Sequence, residues 1–247
     1  MKLGISRIGS GVDGASEVIR SAQRCGFSGV QIKTDQLRAW DFSYASFSQS
    51  AGAAAPLGRG GIVFHPGTDY ASWPGNTDRV LDFAKSARAE HVCYCFCPKP
   101  GGFDQAIDML RKTGRRFADG GIPFSLHNHT GSIFAELPNL LRAGAALDRA
   151  VCGLTFDTAH AHSCGITDLA GAIQTLSHLI NNIHLKDVAA DGSFCPVGTG
   201  TLKLGEAITA LKQIGYDQWL IVDEESRAFD TPTACDISIK FLRDLGL

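Results

Sequence analysis

The chain has 247 residues, close to the usual length of one eight-fold (β/α) barrel and too short for two full domains of that size. With 44% hydrophobic and 19% charged residues, 28 Gly and 9 Pro, it is neither disordered nor collagen-like and has enough apolar material for one large core. The formal charge is −2 and the one basic cluster, Arg111, Lys112, Arg115 and Arg116, is short, so neither a nucleic acid nor, in the absence of any apolar run of about 18 residues, a membrane is expected as partner.

No apolar leader follows Met1, and eight cysteines are spread through the chain. Both features point to a cytoplasmic protein with mostly reduced, buried thiols. In chain order, β-type runs are expected at Lys2–Ser6, Val30–Lys33, Gly61–His65, His91–Cys97, Pro123–Asn128, Cys152–Asp157, Asn181–Lys186 and Trp219–Asp223. Stretches with apolar residues at helical spacing lie between them, such as Leu137, Leu140, Leu141 and Ala145, or Leu169, Ala172, Ile173, Leu176 and Ile180. The last helix is expected to start at Thr231 as N-cap with Pro232 in its first turn. Eight strand–helix units without a linker predict one α/β domain over residues 1–247, a single eight-stranded parallel (β/α)8 TIM barrel. An open doubly wound sheet ranks second, because Gly4, Gly9 and Gly11 do not form its phosphate-binding turn.

In such a barrel the C-terminal strand ends share one mouth. Reactive side chains collect at those ends: His65, then His127-Asn128-His129, then Asp157 with His160 and His162, then His184-Leu185-Lys186-Asp187, then Asp223-Glu224-Glu225. Six of the eight histidines lie there, and only His91 and His178 do not. Imidazoles beside carboxylates suit a divalent ion such as Zn²⁺, Mn²⁺, Co²⁺ or Mg²⁺ rather than Ca²⁺. The expected metal ligands are His127, Asp157, His184 and an acid of the last strand. Strand alternation puts Asp223 and Glu225 on one face and Glu224 on the other. Asp223 is favoured as ligand, with Glu225 its substitute or a base, and Glu224 a solvated or bracing charge.

The segments Asp157-Thr158-Ala159-His160, His184-Leu185-Lys186-Asp187, Gly198-Thr199-Gly200 and the Trp219 to Asp223 strand resemble the xylose isomerase-like barrels, a family of sugar isomerases, sugar epimerases, inosose dehydratases and AP endonucleases. The likeness covers most of the second half, and in the first half Gly29-Val30-Gln31-Ile32-Lys33 is the best piece. It implies an ion held at the positions of His127, Asp157, His184 and Asp223. Two positions depart from the family pattern: His127 stands where a Glu is usual, and Asp223 is one methylene shorter than the usual Glu. The first departure breaks the glutamate pair that the family's epimerases use on opposite faces of one carbon. It favours a reaction with one base and one acid, either dehydration beside a ketone or aldose–ketose isomerisation.

The resemblance thus implies a divalent-metal-dependent isomerase or dehydratase acting on a keto-sugar, sugar or inosose through an enediolate. Glu225 or His160 would remove a proton, and Lys186 or His129 would assist loss of a hydroxyl or reprotonate. His65, Lys33, Gln36 and His129 are expected to bind substrate. For Lys186 a structural salt bridge is the competing role, and for Lys33 a cation reaching to water. A sugar epimerase and a catalytically inert sugar-binding barrel are the alternatives. An AP endonuclease is disfavoured by its extra metal ligands, which the chain lacks, and by the acidic charge. The Cys93-x-Cys95-x-Cys97 run reads as interior filling rather than as a soft-metal site. The Gly198-Thr199-Gly200 turn is too weak a signal for phosphate. The Trp40 to Phe47 stretch is a candidate lid over this mouth or a neighbour's in a homo-oligomer.

Overall fold

A computed structural model describes residues 1–7, 11–51, 58–65, 71–95 and 102–247. The first half runs β1 (Lys2–Arg7), α1 (Gly11–Cys25), β2 (Gly29–Lys33), α2 (Thr34–Ala39), α3 (Tyr44–Ala51), β3 (Gly58–Phe64), α4 (Trp73–Ala87), β4 (Val92–Cys95) and α5 (Phe103–Asp119). The second half runs β5 (Phe124–His127), α6 (Leu137–Ala146), β6 (Gly153–Asp157), α7 (Thr158–Ser163), α8 (Leu169–Thr175), β7 (Ile180–Leu185), β8 (Asp187–Val188), β9 (Phe194–Cys195), α9 (Leu204–Gln213), β10 (Trp219–Glu224) and α10 (Thr231–Asp244). Eight of these strands close in the order β1-β10-β7-β6-β5-β4-β3-β2, all pairs parallel. This is the expected TIM barrel. The sequence pattern missed the short antiparallel β8–β9 hairpin, whose two-residue strands are below the length at which alternation registers.

The outward faces of the strands pack against the helices through Ile32, Phe64, Tyr94, Phe124, Leu126, Leu154, Phe156, Ile183, Leu185 and Val222, all buried. Phe117 stacks on Phe124 at 5.1 Å, and Tyr94 meets both edge-on. On β1, Gly4 leaves room for the interior wall: a Cβ there would come within 2.6 Å of Ile221 Cδ1. Trp40 and Phe47 are buried and meet edge-on at 4.8 Å, with Phe47 also against Phe83 of α4. Their aromatic surface is spent in the helical layer, so the lid expected from this stretch is not formed by them. Among the described residues, no helix is long and apolar enough to cross a membrane.

One local expectation is corrected. The cap of α10 is Asp230, one residue earlier than Thr231, and its carboxylate accepts the Thr233 N–H at 2.8 Å. Asp outcompetes Thr here because its acceptor also meets the positive end of the helix dipole. Cys93 and Cys95 are buried free thiols, as expected, and burial pushes the Cys93 thiol up to about 12. Cys97 lies outside the described residues.

Candidate active site

Three neighbouring strands build the centre of the site in two tiers. Residues two apart on a strand share a face, so Ser125 lies beneath His127 on β5, Thr155 beneath Asp157 on β6 and Asn182 beneath His184 on β7. The lower tier is a hydrogen-bonded chain across the interior: His91 Nε2 to Ser125 Oγ at 3.0 Å, Ser125 Oγ to Thr155 Oγ1 at 2.5 Å, and Asn182 Nδ2 donating to Thr155 Oγ1 at 3.2 Å. Each polar side chain there is buried and spans two strands. The chain therefore ties together the three strands that carry the upper tier.

In the upper tier His184 Nδ1 lies 3.1 Å from His127 Nε2, and Asp157 Oδ2 lies 3.4 Å from His127 Nε2 and 3.7 Å from His184 Nδ1. One ligand atom of each residue falls within 4.8 Å of the other two, and all three residues are buried. Burial holds the His127 imidazole well below its usual pKa, despite the Asp157 carboxylate. Burial opposes ionisation of Asp157 as well, but the Lys186 ammonium and the nearby imidazoles override it and keep the carboxyl well below the usual range. A neutral imidazole and a carboxylate turned inward together suit a divalent ion, so the donor set fits the group implied by the resemblance.

The Asp-Thr-x-His and His-Leu-Lys-Asp segments interlock. Asp157 caps α7, with Oδ1 accepting the His160 N–H at 2.9 Å, which leaves Oδ2 to the imidazoles. Asn128 braces the same residue through its main chain, at 2.7 and 3.1 Å. Thr158 Oγ1 donates to Lys186 O at 2.7 Å and accepts from Lys186 N at 2.9 Å, so the residue that follows β7 is fixed with its side chain buried. Asp187 accepts N–H bonds from Val188, Gly198, Gly200 and Leu202 at 2.9 to 3.2 Å. The Gly198 and Gly200 amides are thus taken by the Asp187 carboxylate and the Thr199 amide by Pro196 O at 3.0 Å, which accounts for the turn without a phosphate.

Beside the triad sit two lysines and two acids. Lys33 Nζ is 2.6 Å from Asp223 Oδ1 and 2.5 Å from Glu225 Oε1. Lys186 Nζ is 2.7 Å from Asp223 Oδ2, 2.9 Å from Glu225 Oε2 and 3.6 Å from Asp157 Oδ2. Both ammoniums are buried, which disfavours their charge, yet the paired carboxylates raise both pKa values. The acids respond in kind. Against burial, Lys186 and Lys33 hold Asp223 well below its usual range, and against burial and the Asp223 charge, Lys33 and Lys186 lower Glu225. The site therefore holds two ammoniums and three carboxylates, all charged near neutral pH.

Histidine rings line the approach. His129 and His160 lie 3.9 Å apart, His127 and His160 5.6 Å, and His65 and His129 5.8 Å. Burial, then the neighbouring His129, pushes His65 down to about 4. For His160, burial together with Lys186 outweighs Asp157 and gives about 4. His160 Nδ1 is 3.0 Å from Thr130 Oγ1, and its Nε2 is 3.4 Å from Lys186 Nζ.

Of the residues read from the sequence, the structure brings His127, Asp157 and His184 together and gathers Lys33, His65, His129, His160, Lys186, Asp223 and Glu225 around them. Gln36 goes elsewhere: its Oε1 accepts the Lys33 N–H at 2.9 Å at the start of α2, and its side chain packs beside Ile32 and Trp40 on the helical side of the strand. Glu224 is buried rather than solvated, and it accepts the Ser226 N–H at 2.7 Å. Phe194 of the β8–β9 hairpin was not foreseen. Its ring lies 5.7 Å from His160 and 4.7 Å from Lys186 Nζ. A lone aromatic in a glycine-containing loop carries no periodic signal.

A profile of the family described as xylose isomerase-like TIM barrel matches residues 24–245. The chain is 25% identical over 141 residues to an inosose dehydratase of Geobacillus thermodenitrificans, covering 50% of this chain and 47% of that protein. The match thus spans about half the relative's length. Among solved structures, a D-allulose 3-epimerase from Methylomonas sp. superposes with a TM-score of 0.79 at 16% identity, covering 99% of this chain and 98% of that one. An IOLI protein with a bound zinc atom gives 0.77 at 15% identity, with 99% and 98% covered. At such identities the two structures speak to the fold.

Proposed function

The chain belongs to the xylose isomerase-like TIM barrel family, and from that premise we propose that it is a divalent-metal-dependent isomerase or dehydratase of a keto-sugar, sugar or inosose. The observation that carries this reading is the convergence of His127, Asp157 and His184 within 4.8 Å at the base of the mouth. Dehydration is the favoured branch. On the resemblance, His127 stands where the family usually has a Glu, so no pair of glutamates would flank a single carbon. The curated relative with inosose dehydratase in its name lies on the same side.

His127, Asp157 and His184 would hold the ion, which when bound polarises a substrate carbonyl and makes the neighbouring C–H acidic. The chain must then move two protons. His160, neutral near pH 7, has an Nε2 beside Lys186 and is placed to accept the carbon-bound proton. Lys186 is the charged donor and would give a proton to the departing β-hydroxyl, which leaves as water. Glu225 is pinned between two ammoniums, with Oε1 on Lys33 and Oε2 on Lys186. It serves instead to keep Lys186 charged. Lys33, His65 and His129 line the approach as contacts for substrate oxygens, and Phe194 narrows it.

The test is incubation of the metal-loaded protein with ketoses and inososes in D₂O, followed by proton NMR. The reading predicts deuterium entering the carbon beside the carbonyl, and for a dehydratase substrate the loss of one hydroxyl-bearing carbon signal to an enone. Exchange absent from every ketose and inosose tried, in a protein that carries the ion, would favour the sugar-binding barrel instead.

A further inference from the structure

We infer that Asp223 is not a ligand of the ion but the anchor of a two-lysine clamp, so that His127, Asp157 and His184 alone hold the ion. This rests on the reading that the site binds a divalent cation. Four ligand atoms at about 2.1 Å around a tetrahedral ion lie about 3.4 Å apart. The three distances within the triad, 3.1, 3.4 and 3.7 Å, scatter about that value. Asp223 stands outside the group whose ligand atoms all lie within 4.8 Å of one another, although its Oδ2 lies 3.8 Å from His184 Nδ1. Both of its oxygens are already engaged, Oδ1 by Lys33 at 2.6 Å and Oδ2 by Lys186 at 2.7 Å.

Charge gives the arrangement its purpose. Two buried ammoniums beside a dication would repel it strongly, and at this depth the repulsion is weakly screened. Asp223 and Glu225 supply two negative charges against the two positive charges of Lys33 and Lys186. That balance leaves Asp157 as the one carboxylate for the ion. The short side chain fits this role: an Asp on β10 reaches both lysines from where it stands. With a single anionic ligand the ion keeps net positive charge, and its remaining coordination positions are left for a chelating substrate.

The experiment compares Zn²⁺ affinity, by competition with a chromophoric chelator, and the visible spectrum of the Co²⁺-loaded protein. The proteins are the unaltered chain, His184→Ala, Asp223→Leu and Asp223→Leu combined with Lys33→Met, with folding checked by circular dichroism. His184→Ala is expected to lose affinity by at least about 100-fold. Asp223→Leu weakens binding through the unpaired ammonium. The charge-balanced double variant is expected to restore one equivalent of Zn²⁺ to within about tenfold of the unaltered protein, with unchanged Co²⁺ bands. It also carries the test if Asp223→Leu fails to fold. A double variant that binds no better than His184→Ala, or whose Co²⁺ bands move, overturns the inference and makes Asp223 a ligand. An unaltered chain that binds no ion overturns the metal reading itself, and this inference with it.

Discussion

Asp157 divides its carboxylate between two tasks. Oδ1 caps α7 through the His160 N–H, and Oδ2 is left facing two imidazoles. Asp157→Asn would keep the cap acceptor but remove the charge that Lys186 and the imidazoles stabilise, so metal affinity is expected to fall by at least about 100-fold and the melting temperature to drop, as read by chelator competition and calorimetry. Lys186→Met tests the proton donor: turnover should fall by about 10² to 10⁴-fold with one equivalent of metal still bound, and an unchanged rate would remove Lys186 from the reaction. The triad and Lys186 were legible in the sequence because polar residues at strand ends are exceptions to an apolar pattern. The lysine pairing was not, since Lys33 and Glu225 are 192 residues apart and charge partners leave no periodic trace. Gln36 was misread for a local reason: a side chain three residues into a helix is in reach of the N-cap N–H, and the cap claimed it.

At the scale of elements, the segment after β9 is held to β8 by one buried carboxylate. Asp187 accepts four N–H groups, and the hairpin so fixed carries Phe194 to His160 and Lys186. Asp187→Ala leaves those donors unpaired and should cost about 3 kcal/mol in urea unfolding. It should also slow turnover by displacing Phe194, whereas a loss below about 0.5 kcal/mol would show that the glycine turn folds without its anchor. Barrel strands and their helices were readable from hydrophobic alternation, since each must bury one face. The hairpin was not, because its two-residue strands are too short for alternation to register, and the carboxylate that ties the following segment to it leaves no periodic trace.

Across the whole molecule, the barrel interior beneath the site is polar, running from His91 through Ser125 and Thr155 to Asn182. The eight-fold layout was legible from length and alternation, but this chain was not, since isolated Ser, Thr and Asn in strands read as ordinary inward positions until the barrel closes. Burial, with a smaller push from His184, lowers His91 to about 3, while an unfolded histidine titrates near 6.5. The folded protein therefore binds fewer protons than the unfolded chain between those values. The stability due to neutral His91 is fully present above about pH 6.5 and is lost as pH falls toward about 3, at about 1.4 kcal/mol per pH unit. His91→Gln keeps a hydrogen-bonding group beside Ser125 and should flatten that acid limb by about one proton in urea melts between about pH 6 and 4. An unchanged slope would place the acid sensitivity elsewhere. The central claim, one divalent ion on three buried residues of adjacent strands, is tested most directly by measuring the metal content of protein purified without chelator, alongside His127→Ala and His184→Ala. The account predicts about one ion per chain in the unaltered protein and none in either variant; metal absent from all three, or retained by both variants, would contradict it.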